Sequence, residues 1–227
     1  MATRSAMSWT DDGDEPNDDP GGEAAPTRSG DSSRRLIEAA IEAFADRGFH
    51  ATTTRDIATR VGLSPAALYV HFPSKQALLA EISVVGHEAA LDLVERSAAT
   101  QTGSVDRLRA VIRDFTAWHA ERYRVARVVH HEIAALADTD QSRVLDVRRK
   151  IEGVVEAQLS AGNASGEMDV PDTRAVARAL LSLSVDVARW YDPRGSRTAA
   201  QIGDLYADLA TRMVSARPPA PPEGERT

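Results

Sequence analysis

The chain has no cysteine, which excludes a disulfide framework and any thiolate metal site. Lysine is almost absent: Lys75 and Lys150 are the only two, and the remaining basic residues are arginine or histidine. No apolar run reaches the length of about 18 residues that a membrane-spanning helix needs. The first residues lack a basic start followed by an apolar core, so no secretory signal is expected. Together these absences predict a soluble, cytoplasmic protein with no membrane partner. Enzyme signatures are missing too. There is no Gly-x-Ser-x-Gly elbow, no phosphate-cradling glycine-rich loop and no His-Glu-x-x-His. An acidic pair elsewhere could still serve catalysis, so an enzyme with a helical ligand-binding domain stays the competing reading. A non-enzyme without a cofactor is the favoured one.

What is present is charge, unevenly placed. The 227 residues carry a formal net charge of −7. Residues 1–27 hold seven acidic residues against Arg4, a balance of −6 that leaves −1 for the remainder. Phosphate binding needs a local basic face and not a basic protein. Arg28, Arg34, Arg35, Arg55, Arg60 and Lys75 could supply one. Residues 1–30 are rich in Asp, Gly, Pro and Ser and read as a disordered acidic tail. Residues 217–227 contain four prolines and read as a second tail.

Between the tails the apolar spacing is helical throughout. Segments 33–47, 75–99, 104–121, 124–137, 140–161, 171–191 and 198–216 carry it, and no run alternates as a strand. A break is expected across Gly162–Gly166. The predicted class is all-α, with a helix-turn-helix domain at 31–77 and a larger helical domain at 78–216.

The most informative stretch is Thr53 to Lys75. Gly48 ends the first helix. Thr53 and Asp56 form a capping-box-like start for a second helix, with Ile57, Ala58 and Val61 facing inward. Gly62 supplies a sharp turn. Ser64 caps a third helix, and Pro65 sits at its first position, where a missing N–H costs nothing. Leu68 and Phe72 anchor that helix. Its leading residues Ser64, Pro65, Ala66 and Ala67 are small enough to enter a DNA major groove. Tyr69, His71 and Lys75 trail behind, where phosphates would lie, with Thr53 and Arg55 near the backbone at the start of the second helix. Only Ser64 among the leading residues can hydrogen-bond through its side chain. Base readout is therefore expected to lean on thymine methyls and DNA shape, with one possible base contact from Arg55.

This block resembles the TetR/AcrR family of bacterial transcriptional regulators. The resemblance rests on Thr53-x-Arg55-Asp56-Ile57-Ala58, Val61-Gly62-Leu63-Ser64, Leu68-Tyr69-x-His71-Phe72 and Ser74-Lys75-x-x-Leu78, and with the first helix it covers about residues 33–80. The sequence departs from the family at Ala66, where Gly is commoner, and at Ala67, where Thr or Ser is common. The resemblance implies a homodimer on double-stranded, palindromic operator DNA, with half-sites roughly 34 Å apart. It also implies a small-molecule effector in the larger domain, and a helix beginning at Lys75 that carries movement between the domains.

In the larger domain two apolar stripes stand out. Val176, Leu180, Leu183, Val187 and Trp190 form one, and Ile202, Leu205, Leu209 and Met213 form the other. They fit either a four-helix dimer interface or the monomer's own core. Effector candidates are Phe115, Trp118, His119, Tyr123, Val128, His130, His131, Glu132, Arg189, Trp190 and Tyr191, aromatic residues mixed with a few polar ones. Any of these rings could equally be core. His130, His131 and Glu132 are adjacent on a helix and point about 100° apart, so no metal site is expected. The run Val187 to Gly195, with Thr198 and Gln201-Ile202, is similar to that region in actinobacterial TetR-type repressors of lipid and sterol catabolism. That similarity implies an amphipathic, acyl-CoA-like effector, with Arg189 offered to a phosphate or carboxylate or held in a structural ion pair with Asp186 or Asp192.

Overall fold

The structure, a computed structural model, describes residues 28–215, with side chains from Gly30 onward. The acidic tail over residues 1–27, the side chain of Arg28 and the proline-rich segment 217–227 lie outside the described residues. Nine α-helices occupy those that are described. In order they are α1 (Arg28–Arg47), α2 (Thr54–Arg60), α3 (Pro65–His71), α4 (Lys75–Ala99), α5 (Ser104–Glu121), α6 (Tyr123–His131), α7 (Asp138–Ser165), α8 (Thr173–Trp190) and α9 (Ala199–Val214). A single 3-10 turn covers Ile133–Ala135. No strand occurs among the described residues, only one isolated antiparallel bridge between Met168 and Ser215. The expected all-α class holds.

The helices fall into two compact units. One takes the described residues up to Leu91 together with Arg122–Arg148; the other takes Asp92–Glu121 together with Arg149 onward. This division differs from the linear one at residue 77, because α6 and the start of α7 pack with the N-terminal helices. The core of the first unit gathers Leu36, Ile37, Ala40, Ile41 and Phe44 from α1 with Ile57, Leu68, Leu78, Leu79, Ile82, Val128 and Val144. These positions recur at helical spacing, so each helix turns one apolar face inward. Polar ties add direction. Arg124 on α6 donates to Glu42 (2.8 Å) and Asp46 (3.0 Å) on α1. At the other end of α6, Glu132 accepts a hydrogen bond from the Phe49 amide at 3.0 Å.

In the second unit α5 packs chiefly on α9 and also on α8. Ala120, Val187, Ala199 and Ile202 cluster there, with Tyr191 and Tyr206 against them. The approach of α9 to α5 is close enough that a Cβ on Gly203 would stand 2.5 Å from the Arg113 carbonyl oxygen.

Three boundaries differ from those read in the sequence. Helix α1 begins at Arg28, not Ser33, with Asp31 in its first turn, where a carboxylate suits the helix dipole. Helix α6 stops at His131, short of residue 137, and the chain continues as the 3-10 turn. Helix α7 runs through most of the expected break and ends within it at Ser165, where Gly166 takes φ +77°. The side-chain amide of Asn163, read as a turn former, instead donates to the Val170 carbonyl (2.6 Å) and accepts from its amide (3.0 Å). That clips the following loop to the helix and leaves the helical backbone undisturbed.

Candidate nucleic-acid interface and effector site

The helix-turn-helix is built by local chemistry. Thr53 is the N-cap of α2: its hydroxyl accepts from the Asp56 amide, and Asp56 accepts in return from the Thr53 amide at 2.9 Å, a complete capping box. The two hydrogen bonds from Thr53 and the charge of Arg47 hold the Asp56 carboxyl below its ordinary range, partial desolvation opposing them. Gly62 takes φ +69° in the turn, a conformation that disfavours a side chain. Ser64 caps α3 through the Ala67 amide at 3.2 Å, and Pro65 opens the helix. Leu68 is fully buried and Phe72 nearly so, which fixes the roll of α3.

That roll exposes Ser64, Ala66, Tyr69 and Val70, while Pro65, Ala67 and His71 are half-buried. Tyr69 hydrogen-bonds Thr54 at 3.3 Å. Val70 is 80% exposed, the most exposed large apolar side chain described, and the sequence reading passed over it. Its helical phase, one residue beyond Tyr69 and opposite Leu68, was the available signal. Arg55 and Thr53 are exposed. Among the described residues Arg55 has no ion-pair partner, whereas Arg34 pairs with Asp31, Arg60 with Asp46, and Arg35 donates to the Val61 carbonyl.

Lys75 has a structural task that spacing did not reveal. Its ammonium donates to the carbonyls of Phe49 (2.6 Å) and Thr52 (2.7 Å) and sits 4.2 Å from the centre of the Phe49 ring. Two of its three N–H groups are thereby used, and one is left over.

The effector candidates divide between the two units. Phe115, Trp118 and His119 form an aromatic group on α5 in the second unit, with ring centres 4.3 Å (Phe115–His119) and 5.0 Å (Trp118–His119) apart. Phe115 and His119 are buried, and His119 Nδ1 lies 2.8 Å from the Phe115 carbonyl. Buried hydroxyls of Thr116 and Ser184 are joined at 2.9 Å in the same unit. Tyr123, His130 and Glu132 belong to the first unit. Glu132 is committed to the Phe49 amide, and Arg127 stands 5.0 Å from the Tyr123 ring. His130 joins His87 and Arg148, two residues the sequence reading did not single out, 18 and 61 residues from their partners.

Arg189 and Trp190 are both exposed. Arg189 is paired with Asp186 at 2.8 and 3.1 Å, the ion pair weighed against a ligand role. That pairing holds the Asp186 carboxyl below its ordinary range. Trp190 lines an apolar groove with Leu183, Leu205, Leu209 and Met213, so it keeps company with the two stripes and not with the α5 rings. No group of three or more His, Asp or Glu among the described residues is placed to hold a metal. No helix among them is long and apolar enough to cross a membrane.

A capped helix-turn-helix followed by a larger helical region defines a DNA-binding transcription regulator. Known proteins agree. Residues 36–82 match the family described as bacterial regulatory proteins of the tetR family, and residues 101–214 match the tetracyclin repressor-like C-terminal domain. The transcriptional repressor KstR2 of Mycolicibacterium smegmatis is 30% identical over 192 residues, covering 81% of this chain and 91% of that protein. A tetR-family regulator from Rhodococcus RHA1 is 33% identical with a TM-score of 0.78, covering 85% of this chain and all of that one. AibR, solved with isovaleryl coenzyme A and operator DNA, shares the fold at 24% identity and a TM-score of 0.71, covering 78% of this chain and 96% of that one. The chain belongs to the TetR family of transcriptional regulators.

Proposed function

We propose that the protein is a homodimeric repressor released from a palindromic operator by a small amphipathic, acyl-CoA-like effector. The observation that carries the DNA-binding half is the outward face of α3, where Ser64, Ala66, Tyr69 and Val70 stand exposed beside an unpartnered Arg55. A face so poor in hydrogen-bonding groups reads thymine methyls and groove shape, while Thr53, Tyr69, His71 and Lys75 position the backbone. The dimer follows from the α8–α9 face. Leu183, Trp190, Leu205, Leu209 and Met213 are all large, apolar and more than a third exposed. A contiguous patch of this kind marks an interaction surface, and a second copy with the same face completes a four-helix bundle. The effector class rests on the buried α5 rings and on two relatives: KstR2, named a repressor, and AibR, solved with an acyl-CoA.

The test uses a fluorescent fragment of the protein's own promoter. Binding should exceed that to scrambled DNA and fall steeply with salt, and added acyl-CoA thioesters should release it without being consumed. A reporter on that promoter should rise when the protein is removed. Turnover of the thioester would favour the enzyme reading. Equal affinity for scrambled DNA would remove the operator.

A further inference from the structure

The first unit contains an arginine without an acidic partner. Arg148, on α7, is half-buried. Its Nε donates to His87 Nε2 on α4 at 2.9 Å, and its Nη2 lies 2.7 Å from His130 Nδ1 on α6. His87 is 4% exposed, and its Nδ1 donates to the Ser83 carbonyl at 2.7 Å. The two imidazoles stand 6.0 Å apart, edge to face.

A guanidinium only donates, so both ring nitrogens it meets must be acceptors. That sets His87 as the Nδ1–H tautomer and His130 as the Nε2–H tautomer, both neutral. Burial agrees, pushing the His87 pKa down to about 4. Arg148 therefore brings one positive charge, and the partners it meets here are neutral. Glu88, the next residue along from His87, is taken by Arg143. Two other arginines that bridge helices meet carboxylates: Arg124 meets Glu42 and Asp46, and Arg178 meets Glu152. Among the described residues no carboxylate meets Arg148.

The guanidinium is half-buried, and partial desolvation of a charge is unfavourable where only neutral partners meet it. Two neutral imidazoles supply the hydrogen bonds and orient the plane, but not the charge. Both N–H groups of Nη1 have no partner among the described residues. The side chain is thus a rigid fork with its outer edge unfilled, the geometry that takes an oxyanion in bidentate fashion.

We propose that Arg148, oriented by His87 and His130, is an oxyanion-recognising site that takes the carboxylate or phosphate of an amphipathic small molecule. The proposal rests on the reading of the protein as effector-responsive. It moves the anion contact from the paired, exposed Arg189 to Arg148. It also links the effector to the DNA-binding helices within one unit, since α6 carries His130, is tied to α1 through Arg124 and, just past its end, is tied through Glu132 to Phe49.

The test is thermal shift on the full chain with three probes of one tail length: decanoate, decyl phosphate and decanol, beside inorganic phosphate. Decanoate or decyl phosphate should raise the melting temperature, decanol should not, and Arg148→Met should weaken the response roughly 10- to 100-fold, the worth of a charged hydrogen-bond pair. Arg189→Ala should respond as the wild type does. A carboxylate-only or phosphate-only response names the source, and a response to inorganic phosphate alone would overturn the amphipathic part. Should Arg148→Met fail to fold, the Arg148 Nε–Hε resonance of the wild type gives the answer: it should move on titration with the anionic probe. An unmoved resonance, or an undiminished response in folded Arg148→Met, overturns the proposal. None of these readouts involves DNA, so a failure here leaves operator binding standing, and anion binding without operator release would count against the regulatory reading alone.

Discussion

Acidification from pH 7 to pH 4 should strip stability from the first unit through one side chain, His87. Burial is the main cause of its depressed pKa, the charge of Arg148 adds to it, and the Ser83 carbonyl opposes it. The groups facing His87 are Arg148 from α7, His130 from α6 and the Ser83 carbonyl from its own helix. Neither His87 nor Arg148 meets a carboxylate among the described residues that could rescue an imidazolium. A base whose folded pKa lies below its unfolded one is protonated first in the unfolded chain. Its stability contribution is therefore complete above the unfolded value of 6.5 and declines as pH falls toward about 4. At about 1.4 kcal/mol per pH unit the loss is about 3 kcal/mol at pH 4, with about 2 kcal/mol already gone at pH 5. The assay is urea unfolding at fixed protomer concentration between pH 7.5 and 4.5, for wild type and His87→Gln. Glutamine keeps an acceptor for Arg148 but does not titrate. The variant should be less stable at pH 7, and the gap should narrow by about 2 kcal/mol by pH 5. Asp46 and Asp56 also have lowered pKa values, but they give up stability below the usual carboxylate value of 3.8, outside this window. Parallel curves for the two proteins would refute the reasoning.

Leu209→Glu places a charge in the α8–α9 face and should yield a helical monomer by sedimentation, with operator affinity lost. Gly203→Ala forces a Cβ to within 2.5 Å of the Arg113 carbonyl and 3.1 Å of the Ala117 Cβ, so stability should drop by roughly 1–3 kcal/mol in urea despite alanine's better helix propensity. Lys75→Ala removes two hydrogen bonds to the Phe49 and Thr52 carbonyls and should cost roughly 1–3 kcal/mol of stability. Its salt dependence of DNA binding should flatten by about one unit of slope, the signature of the third N–H on a phosphate.

How far the sequence spoke depended on distance along the chain. The caps at Thr53 and Ser64, the turn at Gly62 and the inward faces of α1 and α2 involve neighbours within four residues, and all were legible. So were the two apolar stripes, though not their exposure, because a stripe reads alike whether its own chain or a second copy covers it. The structural partners of Glu132 and Lys75 were not legible, because they lie 83 and 23 to 26 residues away. Periodicity has no information about such pairs. His87 and Arg148 were invisible for the same reason, since neither residue is unusual until the fold sets one against the other. Arg189 shows the converse case. Its partner Asp186 is three residues away, so the pair could be anticipated from helical spacing.

The two fastenings of α6 differ in kind, and ionic strength separates them. At one end Arg124 meets Glu42 and Asp46 with all three side chains more than a third exposed, so mobile ions screen the contact. At the other, Glu132 holds a part-buried backbone amide, which salt reaches far less. Raising salt weakens only the N-terminal tie, while the buried Val128 and Val129 keep α6 packed. The stiffness of the connection between His130 and α1 is then set by the medium as well as by the sequence. Dilute buffer adds the Arg124 tie to that packing, and concentrated buffer takes most of it away.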